Sequence, residues 1–438
     1  MERKLRTHEP RCYHLSVRLN CCKSVYNSEI ELMNPLDRLP PSLKTSVALL
    51  TGGGDKPYAF GMARALTSND VILDFIGSDE LDCPDLPRSA KLKFLNFRGD
   101  QSEQAPFIVK ARRIIAYYLR LMWYAGRSHT KVLHILWNNR FLFFDRTLLM
   151  LYYKAVGKRI AFTAHNVNAE RRDGKDSLVN RIGLGIQYRL ADHIFVHTEK
   201  MKQELIGEFG IRDEAVSVIP FGINNVAPHT NLTSQQARKR LCIRNDEKVI
   251  LFFGRIGPYK GLDLLWDAFE RISSRNDSYT LLLVGKPKSG AERYIEEILR
   301  SIRQSPVAGR VIERIEFIPD EETEIYFKAC DVVALPYTEA FQSGVLFLAY
   351  SFGVPVIAAD VGSFAEDVVI GRTGLVCEPC DAGRLAAAIE CYFASEMYRY
   401  LEERRETIRS YVQSKNSWNI VAEMTRRVYL KLEGQIQA

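Results

Sequence analysis

From Ser46 onward, short apolar runs rich in β-branched residues alternate with segments of helical period, and the alternation restarts past the middle of the chain. Strand-length runs separated by helix-length returns build parallel sheets covered by helices, because parallel strands need a crossover of about a dozen residues or more. The first half offers strands at Val47–Leu50, Val71–Ile76, Leu92–Leu95, Val132–Leu136, Ile160–Thr163 and Ile194–His197. The second half offers Val249–Phe253, Leu281–Val284, Ile315–Ile318, Val332–Leu335 and Val354–Ala358. Leu264, Leu265, Ala268, Phe269 and Ile272 recur at the spacing that gives a helix one apolar stripe against a core. The expectation is an α/β protein of two Rossmann-like parallel-sheet domains facing across a cleft.

The length of 438 residues agrees with two domains rather than one. Asn225 to Asp246 is polar, holds Pro228 and Asn231, and precedes the restart at Val249, so the boundary belongs there. This divides the chain into an irregular extension (1–45), an N-terminal domain (46–224), a C-terminal domain (225–395) and a charged helical tail (396–438) able to cross back to the first domain, with a hinge near Gly222 to Asn225. The extension lacks the apolar run of a signal peptide, and nothing later approaches about 18 uninterrupted apolar residues, which points to a cytoplasmic protein. Nine scattered cysteines suit a reducing compartment, and the lone Cys377-x-x-Cys380 has neither a second pair nor a nearby His to complete a metal site, so no metal is expected. A net charge of +7 is too mild for a nucleic-acid binder and suits an anionic substrate or membrane surface.

In an open parallel sheet, ligands bind beyond the carboxyl ends of the strands, so the informative residues are those that follow each apolar run. Four places qualify. Gly52, Gly53 and Gly54 follow the first strand and precede a helix; they let the backbone approach a ligand, although a tight turn would need only one of them. His165 ends another strand, placed to bond a sugar hydroxyl or a phosphate oxygen; backbone groups satisfying the imidazole is the plainer alternative. In Gly254-Arg255-Ile256-Gly257-Pro258-Tyr259-Lys260-Gly261, two cations on one loop at a helix start form a clamp for a diphosphate leaving group. In the stretch Pro336 to Val345, the backbone N–H groups of Gln342, Ser343, Gly344 and Val345 can point at the same diphosphate, and Glu339 can grip sugar hydroxyls.

These motifs, in this order, resemble the retaining nucleotide-sugar glycosyltransferases of family four, which have the GT-B fold. The resemblance covers roughly Ser46 to Phe393 and is strongest in "FFGRIGPYKGLDLL", "LLLVGK", "DVVALPY" and "GVPVIAADVGSFAEDV". It implies Arg255 and Lys260 as diphosphate ligands, with Gly254 in their loop, and Glu339 as a donor-sugar ligand. It also implies Gly52 and Gly53 as the N-terminal glycine loop, His165 as the cleft histidine, and Glu366 in the last cleft loop. One position departs from the family: the second Glu that would hold the nucleotide ribose is absent, with Phe347 and Leu348 in its place.

The resemblance further implies sugar transfer with retention to a glycan or lipid-linked acceptor, the leaving phosphate taking the acceptor's proton, with neither cofactor nor metal. Between Pro106 and Lys131 stand six basic residues, no acidic one, and Tyr117, Tyr118, Trp123 and Tyr124, a composition suited to an anionic lipid surface or to a core-packed helix with a basic outer face. Rival readings are a nucleotide-sugar epimerase and a non-catalytic nucleotide-sugar-binding protein. A dehydrogenase fits worst, because Pro57 stands where its fingerprint needs a third glycine.

Overall fold

The computed structural model describes residues 43–84, 86, 89–102, 104–139, 141–172, 176–223 and 230–437. The expected N-terminal extension, apart from its last residues, and the boundary at Asn225 lie outside the described residues.

The first sheet has seven strands: β1 Thr45–Leu50, β2 Val71–Gly77, β3 Leu92–Asn96, β4 Val132–Ile135, β5 Arg159–Thr163, β6 His193–Val196 and β7 Val216–Val218. They lie in the order β3-β2-β1-β4-β5-β6-β7, every pairing parallel. The second has six: β8 Lys248–Phe253, β9 Tyr279–Val284, β10 Val311–Arg314, β11 Val332–Leu335, β12 Val356–Ala359 and β13 Gly374–Cys377, in the order β10-β9-β8-β11-β12-β13, again all parallel.

Period-two alternation splits each central strand between two cores. Val47 and Leu49 of β1 point into one, Ala48 and Leu50 into the other. In β8, Val249 and Leu251 face one side, Ile250 and Phe252 the opposite one. Both faces are buried, which is why these strands read as continuous apolar runs. In each sheet the strand order reverses beside the first strand, between β1 and β4 and between β8 and β11. The two crevices so created receive the glycine loop on one sheet and the Arg255/Lys260 loop on the other.

Three findings differ from the sequence expectations. β10 is Val311–Arg314, not Ile315–Ile318, and β7 and β13 are additional. The tail is three helices, Glu396–Arg399, Leu401–Asn416 and Trp418–Leu432. Ser417 marks the break before the last helix, capping it with its hydroxyl, which accepts from the Ile420 amide at 3.4 Å. Beyond that cap the chain packs on the first sheet. Val421, Ala422 and Tyr429 join the core beneath helix Lys56–Ser68, and the Tyr429 hydroxyl lies 2.5 Å from Nδ1 of His134 on β4.

Candidate active site

The loop after β8 is shaped by glycines. Gly254 has φ 103°, and a Cβ there would stand 3.2 Å from Lys260 Nζ and 3.3 Å from Val345 Cγ2, so the ammonium and the start of helix Gly344–Ser351 converge at this point. Gly261 has φ 62°, and a Cβ on it would collide with the Pro336 carbonyl at 2.0 Å. That close approach seats the turn Pro258–Lys260 against β11 and carries Lys260 inward, where it is only 6% exposed and its Nζ lies 5.1 Å from the centre of the Tyr337 ring. Arg255, in contrast, is exposed and reaches the open part of the cleft. Ser343, Gly344 and Val345 open the helix, with the Ser343 hydroxyl 3.2 Å from that of Tyr337.

These groups line a cavity of about 460 Å³ whose opposite wall comes from the first lobe: Asp55, Pro57 and Tyr58 at the start of helix Lys56–Ser68, with Phe221, Gly222 and Trp418. Arg255, Lys260, Gly254, Gln342, Ser343, Gly344 and Val345 are therefore brought together on one surface. Lys286, Asp320 and Leu348 also face it, as does Trp418, whose indole N–H donates to the Ile223 carbonyl at 2.7 Å. Sequence reading named none of Lys286, Asp320 and Trp418 for the site, and met Leu348 only as one of the two residues in the place of the absent Glu. Asp55 it passed over inside its own glycine motif, where the carboxylate accepts from the Tyr58 amide at 2.8 Å and caps the helix.

The remaining expected residues stand apart from the lining. Gly52 and Gly53 have φ 56° and 78°, and added Cβ atoms would meet the Trp137 carbonyl at 2.1 Å and the Arg98 guanidinium at 2.0 Å. Their backbone packs on the first lobe and sets the direction of Asp55. Glu339 is half-buried, one residue before Ala340 of the cavity wall. The Glu366 carboxylate meets the backbone N–H groups of Glu199 and Lys200 at the start of helix Glu199–Phe209, so it ties the second lobe to the first.

His165 is held in an aromatic cluster. Trp137 stacks on it with ring centroids 4.4 Å apart and planes inclined by 7°, and Tyr58 meets it edge-on at 4.7 Å. His197 Nδ1 lies 3.2 Å from the Ile219 carbonyl, which can only accept, so this nitrogen carries the proton. His197 Nε2 is then the acceptor for His165 Nδ1 at 3.1 Å, leaving His165 Nε2 with a lone pair. That atom is buried without a hydrogen-bond partner among the described residues. Burial holds both rings neutral, His165 well below the usual imidazole range and His197 down to about 4.

Helix Gly344–Ser351 separates the two residues at the departing position. Leu348 faces the cavity, whereas Phe347 is 2% exposed and turns away from it.

Two Rossmann-like lobes whose crevices share one cavity define the GT-B architecture. Residues 52–225 match the model of Glycosyltransferase Family 4, and residues 247–395 that of Glycosyl transferases group 1. The chain belongs to the family 4, group 1 glycosyltransferases. A D-inositol 3-phosphate glycosyltransferase of Corynebacterium diphtheriae is 31% identical over 242 residues, 53% of this chain and 56% of that protein. One from Acidothermus cellulolyticus is 31% identical over 205 residues, 45% of each chain. The chain thus spans about half the length of these curated relatives. Among solved structures, sucrose-phosphate synthase from Thermosynechococcus elongatus superimposes with a TM-score of 0.71 at 19% identity, covering 90% of this chain and 100% of that one. Anabaena HepE in complex with UDP-glucose gives 0.68 at 16% identity, covering 88% and 99%. At such identities the likeness is one of fold.

Proposed function

We propose that the protein transfers a sugar from a nucleotide diphosphate donor, bound by the 225–395 lobe, to an acceptor held by the 46–224 lobe. The observation that carries this reading is the convergence of the inward Lys260 ammonium, the Arg255 guanidinium and the helix start at Ser343–Val345 on one cavity between the lobes. Such a group of fixed donors meets the negative charge that grows on a departing diphosphate, and being already oriented it needs no reorganisation as the bond breaks. The clamp supplies the charge that a divalent ion would otherwise provide, and no cofactor is called on. Glu339 borders the sugar end of the cavity, and His165, packed edge-on against Tyr58, supports that residue of the cavity wall from behind.

Transfer proceeds with retention in this reading: the acceptor hydroxyl attacks the face from which the diphosphate leaves, and the phosphate oxygen takes its proton. The relatives named as D-inositol 3-phosphate glycosyltransferases, and a solved neighbour holding UDP-glucose, favour a UDP-sugar and a polar, small-molecule or lipid-borne acceptor in polysaccharide or glycolipid synthesis. The test is a thermal-shift panel of UDP-, GDP- and ADP-sugars, followed by the anomeric configuration of the product. A donor present at 100 times its Kd should add about 2.7 kcal/mol of stability. No shift with any member of the panel would overturn the reading, and an inverted product would overturn retention.

We also propose that the first lobe rests on an anionic membrane. No described helix is long and apolar enough to cross a bilayer. Helix Phe107–Arg127 nevertheless leaves Phe107, Ile108, Ile115, Leu119 and Trp123 at least 62% exposed beside its basic residues. Tyr117, Tyr118 and Tyr124 point into the core, as in the core-packed alternative of the sequence reading. Co-sedimentation with phosphatidylglycerol vesicles tests this contact, and binding that is unchanged from neutral vesicles counts against it.

A further inference from the structure

A second concavity, of about 430 Å³, lies wholly in the first lobe between the loop after β3 and helix Phe107–Arg127. Three cations, Arg98, Lys110 and Arg113, line it with Tyr117 and Asn139. Among the described residues of the lining the acidic one, Asp100, is bound to Arg113 at 2.8 Å and to the Ser102 amide at 2.7 Å, so cations outnumber carboxylates there.

The polar side is rigidly held. The Tyr117 hydroxyl donates to Asn139 Oδ1 at 2.7 Å, and Asn139 Nδ2 reaches the buried Asp145 at 3.3 Å, which also accepts from Tyr118 at 2.8 Å. Arg98 lies 5.7 Å from the centre of the Tyr117 ring, which fixes its guanidinium plane. Two planar forks and an ammonium in a concave wall match the oxygens of a phosphate, which takes paired N–H donors. The place is also telling. Arg98 abuts Gly53, two residues before the Asp55 that lines the donor cavity, so one short loop touches both a cation of this concavity and the donor cavity.

We infer that this concavity binds a phosphate or phosphodiester group of the acceptor. The assignment to the acceptor rests on the sugar-transfer reading; the anion site itself does not. The phosphate can belong to a soluble phosphomonoester or to a lipid headgroup delivered from the exposed apolar side of the same helix.

The test uses the full chain and two probes, glycerol 3-phosphate by calorimetry and phosphatidylglycerol vesicles by co-sedimentation, on the wild type, Arg98→Gln, Lys110→Gln and the pair Arg98→Gln/Arg113→Gln. UDP-induced thermal shift is read on each. The expected result is a loss of at least tenfold in affinity for one or both probes in the double variant, with the UDP shift retained. Loss confined to the soluble probe assigns a phosphomonoester, and loss confined to vesicles assigns a lipid. Lys110→Gln, which leaves the Asp100–Arg113 pair intact, should weaken the same probe and keeps the test valid if the double variant fails to fold. Wild type that binds neither probe, or variants that bind both as the wild type does, overturn the inference. Absence of a UDP shift in the wild type overturns the donor reading instead.

Discussion

Phe347 stacks on Phe221 across the join between the lobes, ring centroids 5.4 Å apart and planes inclined by 18°. Because successive helix positions differ by about 100°, fixing Phe347 against Phe221 turns Leu348 toward the cavity. Leu348→Glu should therefore place a carboxylate where it can accept from the ribose hydroxyls and tighten UDP binding several-fold. Phe347→Glu should bury an unpaired charge in the aromatic stack and cost about 3 kcal/mol or more of stability. Calorimetry with UDP and chemical denaturation separate the two, and equal effects would put the register of this helix in question.

Arg255→Ala and Lys260→Ala should each lower kcat by roughly 10² or more, with an unchanged circular-dichroism spectrum. A raised KM with unchanged kcat would mean that the cations bind donor and transition state equally.

Asp367 gives a pH dependence with a definite sign. Burial pushes its carboxyl up to about 7, against hydrogen bonds from Ser363, at 2.7 Å, and Gln342. Between about pH 4 and 7 the folded chain keeps on this group a proton that the unfolded chain has lost, so its contribution to stability falls as pH rises through this window and levels off above it. Asp367→Asn should abolish that decline, on the order of 2 kcal/mol, in denaturation measured at pH 5 and pH 8. Since Gln342 stands at the donor cavity, the same variant should flatten the pH profile of UDP affinity.

The histidines of the first lobe act in the opposite direction. Burial holds His134 down to about 3 and His197 to about 4, so the unfolded chain gains protons below about pH 6.5 that the fold refuses. Their contribution to stability should drop as pH falls from about 6.5 to 4, and His134→Asn should remove part of it. A difference between this variant and the wild type that stays constant over the range would contradict a neutral, buried ring at position 134.

Trp418→Ala should cost about 3–5 kcal/mol, because the indole fills the space between Gly61, Gly222 and Tyr58 and carries the hydrogen bond to Ile223. Weakened UDP binding in a variant that still folds would show that the tail sets the width of the cavity.

The sequence by itself determined most of the elements and the loop that carries Arg255 and Lys260. Strands buried on both faces must be continuous apolar runs, which made β1, β8 and β11 legible, and glycines forced into close backbone approach announced the loops before and after Arg255 and Lys260. Of the four edge strands only β3 gave a comparable signal. β7 and β13 are three and four residues long, and at β10 the half-exposed Val311–Arg314 competed with a neighbouring run, Ile315–Ile318, of similar pattern.

Only the tertiary structure decided the rest, because it depends on residues distant in the chain meeting. Trp418 reaches the cavity through a tail that returns over nearly two hundred positions to Ile223. Glu366 is drawn to the amides of Glu199 and Lys200, and the tautomers of His165 and His197 follow from a carbonyl at Ile219. A side chain's identity fixes what it can donate or accept, and the packing of two sheets fixes which groups it meets.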